Sequence, residues 1–129
     1  MDPTFEISIE PRCGLMRVKL GGFFAVADVE ALEFEKRAAL VRLGMPANQH
    51  LTLVDVSECK LQPQDVFGAF QSAIADPRYM SRRIAFVTGS SLARMQVRRM
   101  LKRDDAAFFE TVEQAETWLF EEPRVLMRA

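Results

Sequence analysis

The stretch LTLVDVSECKLQPQDV, residues 51–66, contains two adjacent signals that decide the fold. Its first half is rich in leucine and valine and carries no charge before Asp55, which is typical of a strand covered on both faces of a sheet. Its second half reaches Pro63, and proline is tolerated in the first turn of a helix because the N–H it lacks would have no partner there. These signals predict a central strand over residues 50–56 and a helix that begins at Pro63. The apolar side of this helix contains Val66, Phe67, Phe70 and Ile74.

The same alternation of strand and helix signals continues toward the carboxyl end. Residues 83–88 form an apolar strand segment, and Ser90 or Ser91 can cap the helix that follows it. We expect this helix to reach about Arg103. A short strand over residues 106–110 comes next.

Capping and stop signals mark the boundaries of two further helices. Thr111 and Gln114 fit a capping box, which predicts a closing helix that continues through Phe120. The segment 24–43 contains strong helix formers and no proline, and it ends at Gly44. It is therefore predicted to be the longest helix.

The amino-terminal region predicts a hairpin. Residues 5–10 alternate between apolar and polar side chains, and a second short run over 15–20 follows a turn. The full order is then ββαβαβαβα, which predicts an α/β fold with a mostly parallel central sheet, an amino-terminal hairpin and helices packed on the sheet. We expect one domain over residues 1–122 and a carboxyl-terminal tail over 123–129.

Composition and charge exclude several classes of protein. The chain has 129 residues, of which 49% are hydrophobic and 27% are charged, and its net charge is −1. These values are close to globular averages and argue against disorder. No apolar run approaches the ~20 residues that span a bilayer, and the acidic start lacks the features of a signal peptide. We therefore expect a cytoplasmic protein without stable membrane insertion.

Few residues can support metal or nucleophilic chemistry. Cys13 and Cys59 lie far apart in the sequence, and His50 is the only histidine. Zinc sites require several such ligands with close spacing, so no metal or other cofactor is predicted. We expect all three residues to have structural roles and predict no catalytic residue.

Three stretches together resemble the STAS domain, the fold of anti-sigma-factor antagonists, and especially its SpoIIAA-like relatives in bacteria. They are LTLVDVSECKLQPQDV, RRIAFVTGSSLARMQVRRM and AAFFETVEQAETWLFEE, and the resemblance covers about residues 5–122. It implies a regulatory or binding module that acts by protein contact rather than an enzyme. SpoIIAA-like proteins are also similar in fold to CRAL-TRIO domains, which hold a lipid between helix and sheet.

The resemblance also identifies a departure from the typical regulators. Those proteins carry an Asp-Ser-Ser-Gly turn after the central strand, and a partner kinase phosphorylates one serine of this turn. Here the equivalent positions are occupied by Gln62, Pro63, Gln64 and Asp65, none of which has a hydroxyl group. Ser57 is nearby, but it lies several residues too early, and we expect it to form local hydrogen bonds. The usual phosphoserine switch is therefore not expected.

The predicted helix 24–43 has apolar residues on two sides when it is projected at ~100° per residue. One side contains Ala25, Val29, Leu32, Ala39, Leu40 and Leu43, and the other contains Ala27, Ala31, Phe34, Ala38 and Val41. Charged residues separate the two sides. A helix on a sheet needs one apolar face, so the second side predicts contact with a homodimer partner, another protein or a lipid. The alternative is an alanine-rich solvent surface.

Charge is segregated along the chain. Residues 78–103 include eight basic and no acidic side chains, whereas residues 104–122 include seven acidic and no basic ones. Arg94, Arg98 and Lys102 recur every four residues and form a basic stripe. This stripe can meet phosphates or an acidic partner, or it can pair with the chain's own acidic end. Nucleic-acid binding is not expected, because the net charge is negative and no aromatic residues lie between the arginines.

The beginning of the helix after residue 88 is a candidate anion site. Its free N–H groups and partial positive charge favour anions. The residues concerned are Gly89, Ser90, Ser91, Arg94 and Arg98. No glycine-rich nucleotide motif accompanies them.

Three hypotheses follow from the sequence. The first is a regulatory module that forms a homodimer and contacts an unknown protein. The second is a protein that binds a small apolar ligand or lipid, and the third is an anion- or nucleotide-responsive switch at residues 89–91.

Overall fold

The computed structural model describes residues 2–100 and 105–121. The predicted tail 123–129, the end of the predicted domain at residue 122, and Lys102 and Arg103 of the basic segment lie outside the described residues.

Two antiparallel strands form the predicted hairpin at the amino terminus. Strand β1 (Thr4–Glu10) pairs with strand β2 (Leu15–Gly22), with Ile7 opposite Val18. Gly14 in the connecting turn has a φ of 63°, a left-handed conformation that glycine adopts without the usual steric cost. The hairpin prediction is confirmed.

The rest of the chain alternates helices and parallel strands. The elements are α1 (Val26–Leu43), β3 (Leu51–Cys59), α2 (Gln64–Ile74), β4 (Arg83–Val87), α3 (Ser91–Met100), β5 (Ala106–Phe109) and α4 (Val112–Leu119). The five strands lie in sequence order in one sheet, and β2 to β5 are parallel. The predicted α/β fold and element order are confirmed.

Several element boundaries differ from those predicted by one to three residues, and two of these differences have identifiable reasons. Helix α1 begins at Val26 instead of residue 24, because Phe24 is buried in the core before the helix starts. Strand β3 continues to Cys59 instead of ending at residue 56, because Gly22 at the end of β2 remains paired with it. The three additional residues place Ser57 in the strand.

The helix starts follow the predicted capping signals. The predicted start at Pro63 is one residue too early: Pro63 precedes α2 in an extended conformation, and the helix begins at Gln64. Thr111 caps α4, since its side-chain oxygen accepts the N–H of Gln114 at 3.2 Å. The Gln114 side chain accepts the N–H of Glu110, one residue before the position that a strict capping box would use.

Helices cover both faces of the sheet. Helices α1, α2 and α3 lie on one face, and α4 packs on β3, β4 and β5 from the other. The core below α4 contains Leu15, Leu51, Leu53, Ala85, Val87, Ala115 and Leu119. Successive side chains of a strand point to opposite faces of the sheet, so the strands contribute buried residues to a core on each face.

Candidate functional site

Two turns lie side by side at the edge of the sheet where the parallel strands β3 and β4 end. A side-chain carbon added to Gly89 would lie 2.8 Å from the carbonyl oxygen of Ser57, closer than such contacts allow. Glycine at position 89 therefore permits the turn after β4 to approach β3. The fold thus brings together Ser57 and Gly89, which the sequence analysis had placed in separate candidate sites.

Gln62 connects three parts of the chain at this edge. Its side-chain oxygen accepts the N–H of Phe24 at 2.8 Å, and its amide nitrogen donates to the carbonyl oxygens of Gly22 at 3.0 Å and Lys60 at 2.5 Å. The backbone of Gln62 exchanges hydrogen bonds with the side chain of Gln96 in α3, at 3.2 and 3.1 Å. These five bonds hold the β3–α2 turn against α3 and against the start of α1.

The other positions equivalent to the phosphoserine turn of typical STAS regulators lie at the end of β3 and in the first turn of α2. Gln64 and Asp65 are exposed in the first turn of α2. Ser57 is exposed in β3, and its hydroxyl and N–H both donate to Asp55, at 2.6 and 3.0 Å. Its hydroxyl thus makes the expected local hydrogen bond, although Ser57 lies in a strand instead of a turn.

The candidate anion site lies at the start of α3, but its arginines are directed toward β5. Gly89, Ser90 and Ser91 are exposed. Arg94 lies 3.9 Å from a carboxylate oxygen of Glu110, just after β5. The guanidinium of Arg98 lies 5.5 Å from the ring centre of Phe108 in β5. The described part of the basic stripe therefore has contacts within the protein.

A mostly apolar cavity lies between the sheet and helices α1, α2 and α3. Its volume is about 70 Å³ when measured as the space open to the centre of a water molecule, and about 730 Å³ when its open mouth is included. The smaller figure corresponds to room for several water molecules. The lining includes Val54, Val56, Leu32, Phe70, Phe86 and Val97.

Polar residues occupy part of the cavity wall. Lys36 and Glu33 of α1 form an ion pair at 3.0 Å, with side chains 20% and 13% exposed. Gln62 and Gln96, which hold the adjacent turn, also line the cavity. The cavity therefore combines an apolar interior with a small number of fixed polar groups, as many small-molecule sites do.

Cys59 also lines this cavity. Burial, with a smaller contribution from the nearby carboxylates of Asp55 and Glu58, raises the pKa of its thiol to about 12. The thiol is consequently neutral at physiological pH and a poor nucleophile. Cys13 is exposed, and both cysteines are free thiols.

The outer face of α1 is apolar and exposed. Phe34 is 70% and Val41 80% exposed, Ala27 and Ala31 are exposed, and Ala38 is half-buried. The opposite side of the helix buries Val29, Leu32, Ala39 and Leu43. Ala25, which was assigned to that inner side, is instead the exposed residue before the helix. We call Ala27, Ala31, Phe34, Ala38 and Val41 the α1 seam.

Metal and membrane sites are absent from residues 2–100 and 105–121. No group of three or more potential metal ligands occurs there. No helix in this part of the chain is long and apolar enough to cross a membrane.

The order of the strands and the placement of the helices define a STAS-like, or SpoIIAA-like, α/β fold. A protein of the DUF3478 family with a SpoIIAA-like fold, from Shewanella loihica PV-4, is similar to this chain with a TM-score of 0.68 and 18% identity. The similarity covers 91% of this chain and 93% of that one.

A second solved structure with the same fold is an anti-sigma factor antagonist from Mycobacterium paratuberculosis. Its TM-score is 0.61 and its identity 11%, over 93% of this chain and 96% of that one. No model of a known protein family matches the chain, and no curated protein matches its sequence. The structural comparisons confirm the fold that the sequence motifs predicted.

The cavity and the role of Gln62 were not predicted. The sequence around Gln62 shows that this position has no hydroxyl group, but it carries no signal for the bonds that the side chain makes. Its partners Gly22, Phe24 and Gln96 lie up to 40 residues away.

Proposed function

We propose that the protein is a regulatory module that acts by binding other protein surfaces rather than by catalysis. The observation that carries this proposal is the α1 seam. Phe34 and Val41 are large apolar side chains, and they are 70% and 80% exposed on a helix whose other side already fills the core. Exposed apolar residues grouped on one face are typical of protein contact sites.

The fold supports the same proposal. One of the solved structures with this fold is an anti-sigma factor antagonist, a protein named for its effect on another protein. In the present chain, positions 62–65 have no hydroxyl group, so a kinase cannot switch contact by phosphorylating them. The two free cysteines fit the reducing environment of the cytoplasm, where we expect the protein to act.

Site-specific photo-crosslinking in living cells tests this proposal. A photoreactive phenylalanine analogue at position 34 should give a product heavier than the monomer, with the attached protein identified by mass spectrometry. The matched control places the same analogue at Leu92, an exposed apolar residue of α3. Absence of a crosslinked protein at position 34, or equal products at positions 34 and 92, would contradict the proposal.

A second candidate function is binding of a small amphipathic molecule, and the cavity is the observation that favours it. The apolar walls suit a hydrocarbon group, and the Lys36–Glu33 pair with the Gln62 and Gln96 amides suits a polar end. Native mass spectrometry of freshly purified protein should then show a mass increase that is lost when Val56→Phe fills the cavity. A single unliganded mass for the wild-type protein would count against this function.

A further inference from the structure

The residues of the α1 seam are spaced as in a two-helix contact. The intervals between Ala27, Ala31, Phe34, Ala38 and Val41 are four, three, four and three residues. This is the spacing of the a and d positions of a heptad, which form the narrow contact line of a coiled coil. The spacing therefore suits contact of the seam with a second helix.

Side-chain size along the seam favours close approach of a second helix. Three of its positions are alanine, so the backbone of a partner helix can come near on both sides of Phe34. Exposed apolar residues also lie beyond each end of the helix, with Phe23 before it and Met45 after it.

The charges beside the seam determine which partner fits. Glu30 and Asp28 lie near the amino end of α1, and Arg37 and Arg42 lie nearer its carboxyl end. If a second copy of α1 lies antiparallel, Glu30 approaches Arg37 of the other copy and Asp28 approaches Arg42, while Glu35, on the same flank as Asp28, lies opposite its own copy near the axis. The antiparallel arrangement thus has four attractive pairs and one repulsive pair. In a parallel pair, residues of the same charge approach one another instead.

The position of the arginines agrees with this arrangement. Arg37 stays on its flank of the seam because its guanidinium stacks on Tyr79, 4.8 Å from the ring centre. The two charge pairings have their midpoints at residues 33.5 and 35, close to Phe34. The helix dipoles of two antiparallel helices also oppose each other favourably.

From these observations we propose that the α1 seam binds a second copy of this chain, with the two helices antiparallel and the two-fold axis near Phe34. The inference rests on the proposed function, in which the seam is a protein contact surface, and it identifies the partner. A two-fold contact uses the same patch on both chains, as the symmetric placement of Ala27 and Val41 about Phe34 allows. A contact limited to one helix is small, so we expect association in the micromolar range.

The first test measures association of the purified protein by sedimentation across micromolar concentrations. The wild-type chain should change from monomer to dimer, and Phe34→Glu should weaken the association at least about tenfold, as expected for a central aromatic residue. Leu92→Glu is the matched control and should leave association unchanged. Circular dichroism and thermal unfolding verify that both variants are folded, since neither side chain is buried.

The second test determines the orientation of the helices by cysteine crosslinking in a Cys13→Ser background. Ala27→Cys chains mixed with Val41→Cys chains should form a mixed disulfide, and neither variant should crosslink to itself. Self-crosslinking of each variant would show a parallel pair and overturn the inference.

Charge reversal adds an independent check: Glu30→Lys should weaken association, and Glu30→Lys combined with Arg37→Glu should restore it.

The outcomes separate this inference from the proposed function. A wild-type protein that remains monomeric at all concentrations, but crosslinks in cells from position 34 to a different protein, would overturn self-association and leave the proposed function intact. Failure to crosslink to any protein in cells would contradict the proposed function itself.

Discussion

The single helix α4 and the three helices α1–α3 cover the same sheet, but the two layers are packed differently. Below α4, Leu119 and Ala115 are 0% exposed and lie against strand residues that are also almost completely buried. On the other face, the helices enclose a cavity that is partly lined by charged and amide side chains. The described cavity and the exposed apolar seam thus both belong to the α1–α3 layer.

The comparison concerns how the two layers respond to changes in side-chain volume. The α1–α3 face contains the larger group of buried hydrophobic residues, and several of them border the cavity. Substitutions at equivalent depths in the two layers should therefore have different effects on the free energy of unfolding.

The largest expected difference is between Leu119→Ala and Leu32→Ala. Truncation of a fully buried leucine typically costs about 2–5 kcal/mol, and the cost rises with the number of contacts that are lost. Leu119 should lie near the upper end of this range, whereas Leu32 borders the cavity and should lie near the lower end. Chemical denaturation measures both values, and equal losses would show that the two layers are packed equally well.

A smaller difference, of opposite sign, is expected from adding one methylene group to each layer. Val87→Ile adds volume to the closely packed core below α4 and should destabilise the fold by about 1 kcal/mol or more. Val54→Ile extends into the cavity and should stabilise the fold by roughly 0.5–1 kcal/mol. Destabilisation by Val54→Ile would show that the cavity walls cannot accept a larger group.

The last expected effect concerns Cys59; it is absent at neutral pH and appears only at high pH. The folded protein raises the pKa of this thiol from its ordinary value of 9.0 to about 12. Between these values the unfolded chain has lost the proton that the folded chain keeps, so stability falls as the pH rises through this window. Below the window, Cys59 contributes no pH dependence.

The Cys59→Ala variant provides the control for this prediction. The difference in unfolding free energy between wild type and variant should decrease from pH 9 toward pH 12. A difference that is constant over this range would mean that water reaches the thiol. At neutral pH, a thiol reagent should modify exposed Cys13 much faster than Cys59.

The order of elements could be predicted from the sequence because each element has its own local signal. The uncharged run before Asp55, Pro63 before α2 and the Thr111 cap all act within a few residues of the structure they specify. The outer face of α1 could also be predicted, because helical periodicity alone determines which side chains share a face.

The contacts of Gln62 and Gly89 at the ends of β3 and β4 join segments that are far apart in the sequence. Glutamine at position 62 indicates a polar surface residue, and nothing local predicts that its amide reaches both Gly22 and Phe24. The cavity could not be predicted either, because apolar residues such as Val54 and Phe70 are equally typical of a core without a cavity. The end of β3 was misplaced because pairing with β2, a non-local interaction, extends it.

The hydrogen bonds of Gln62 also limit which side chains the turn after β3 can accept at position 62. A Gln62→Ser substitution would introduce a hydroxyl group that a kinase could modify, but it would remove the bonds to Gly22, Phe24 and Lys60 in the same step. Each backbone group would then need a new partner or water before the turn became stable again. A hydroxyl-bearing residue at position 62 is therefore incompatible with the hydrogen bonds that now hold this turn.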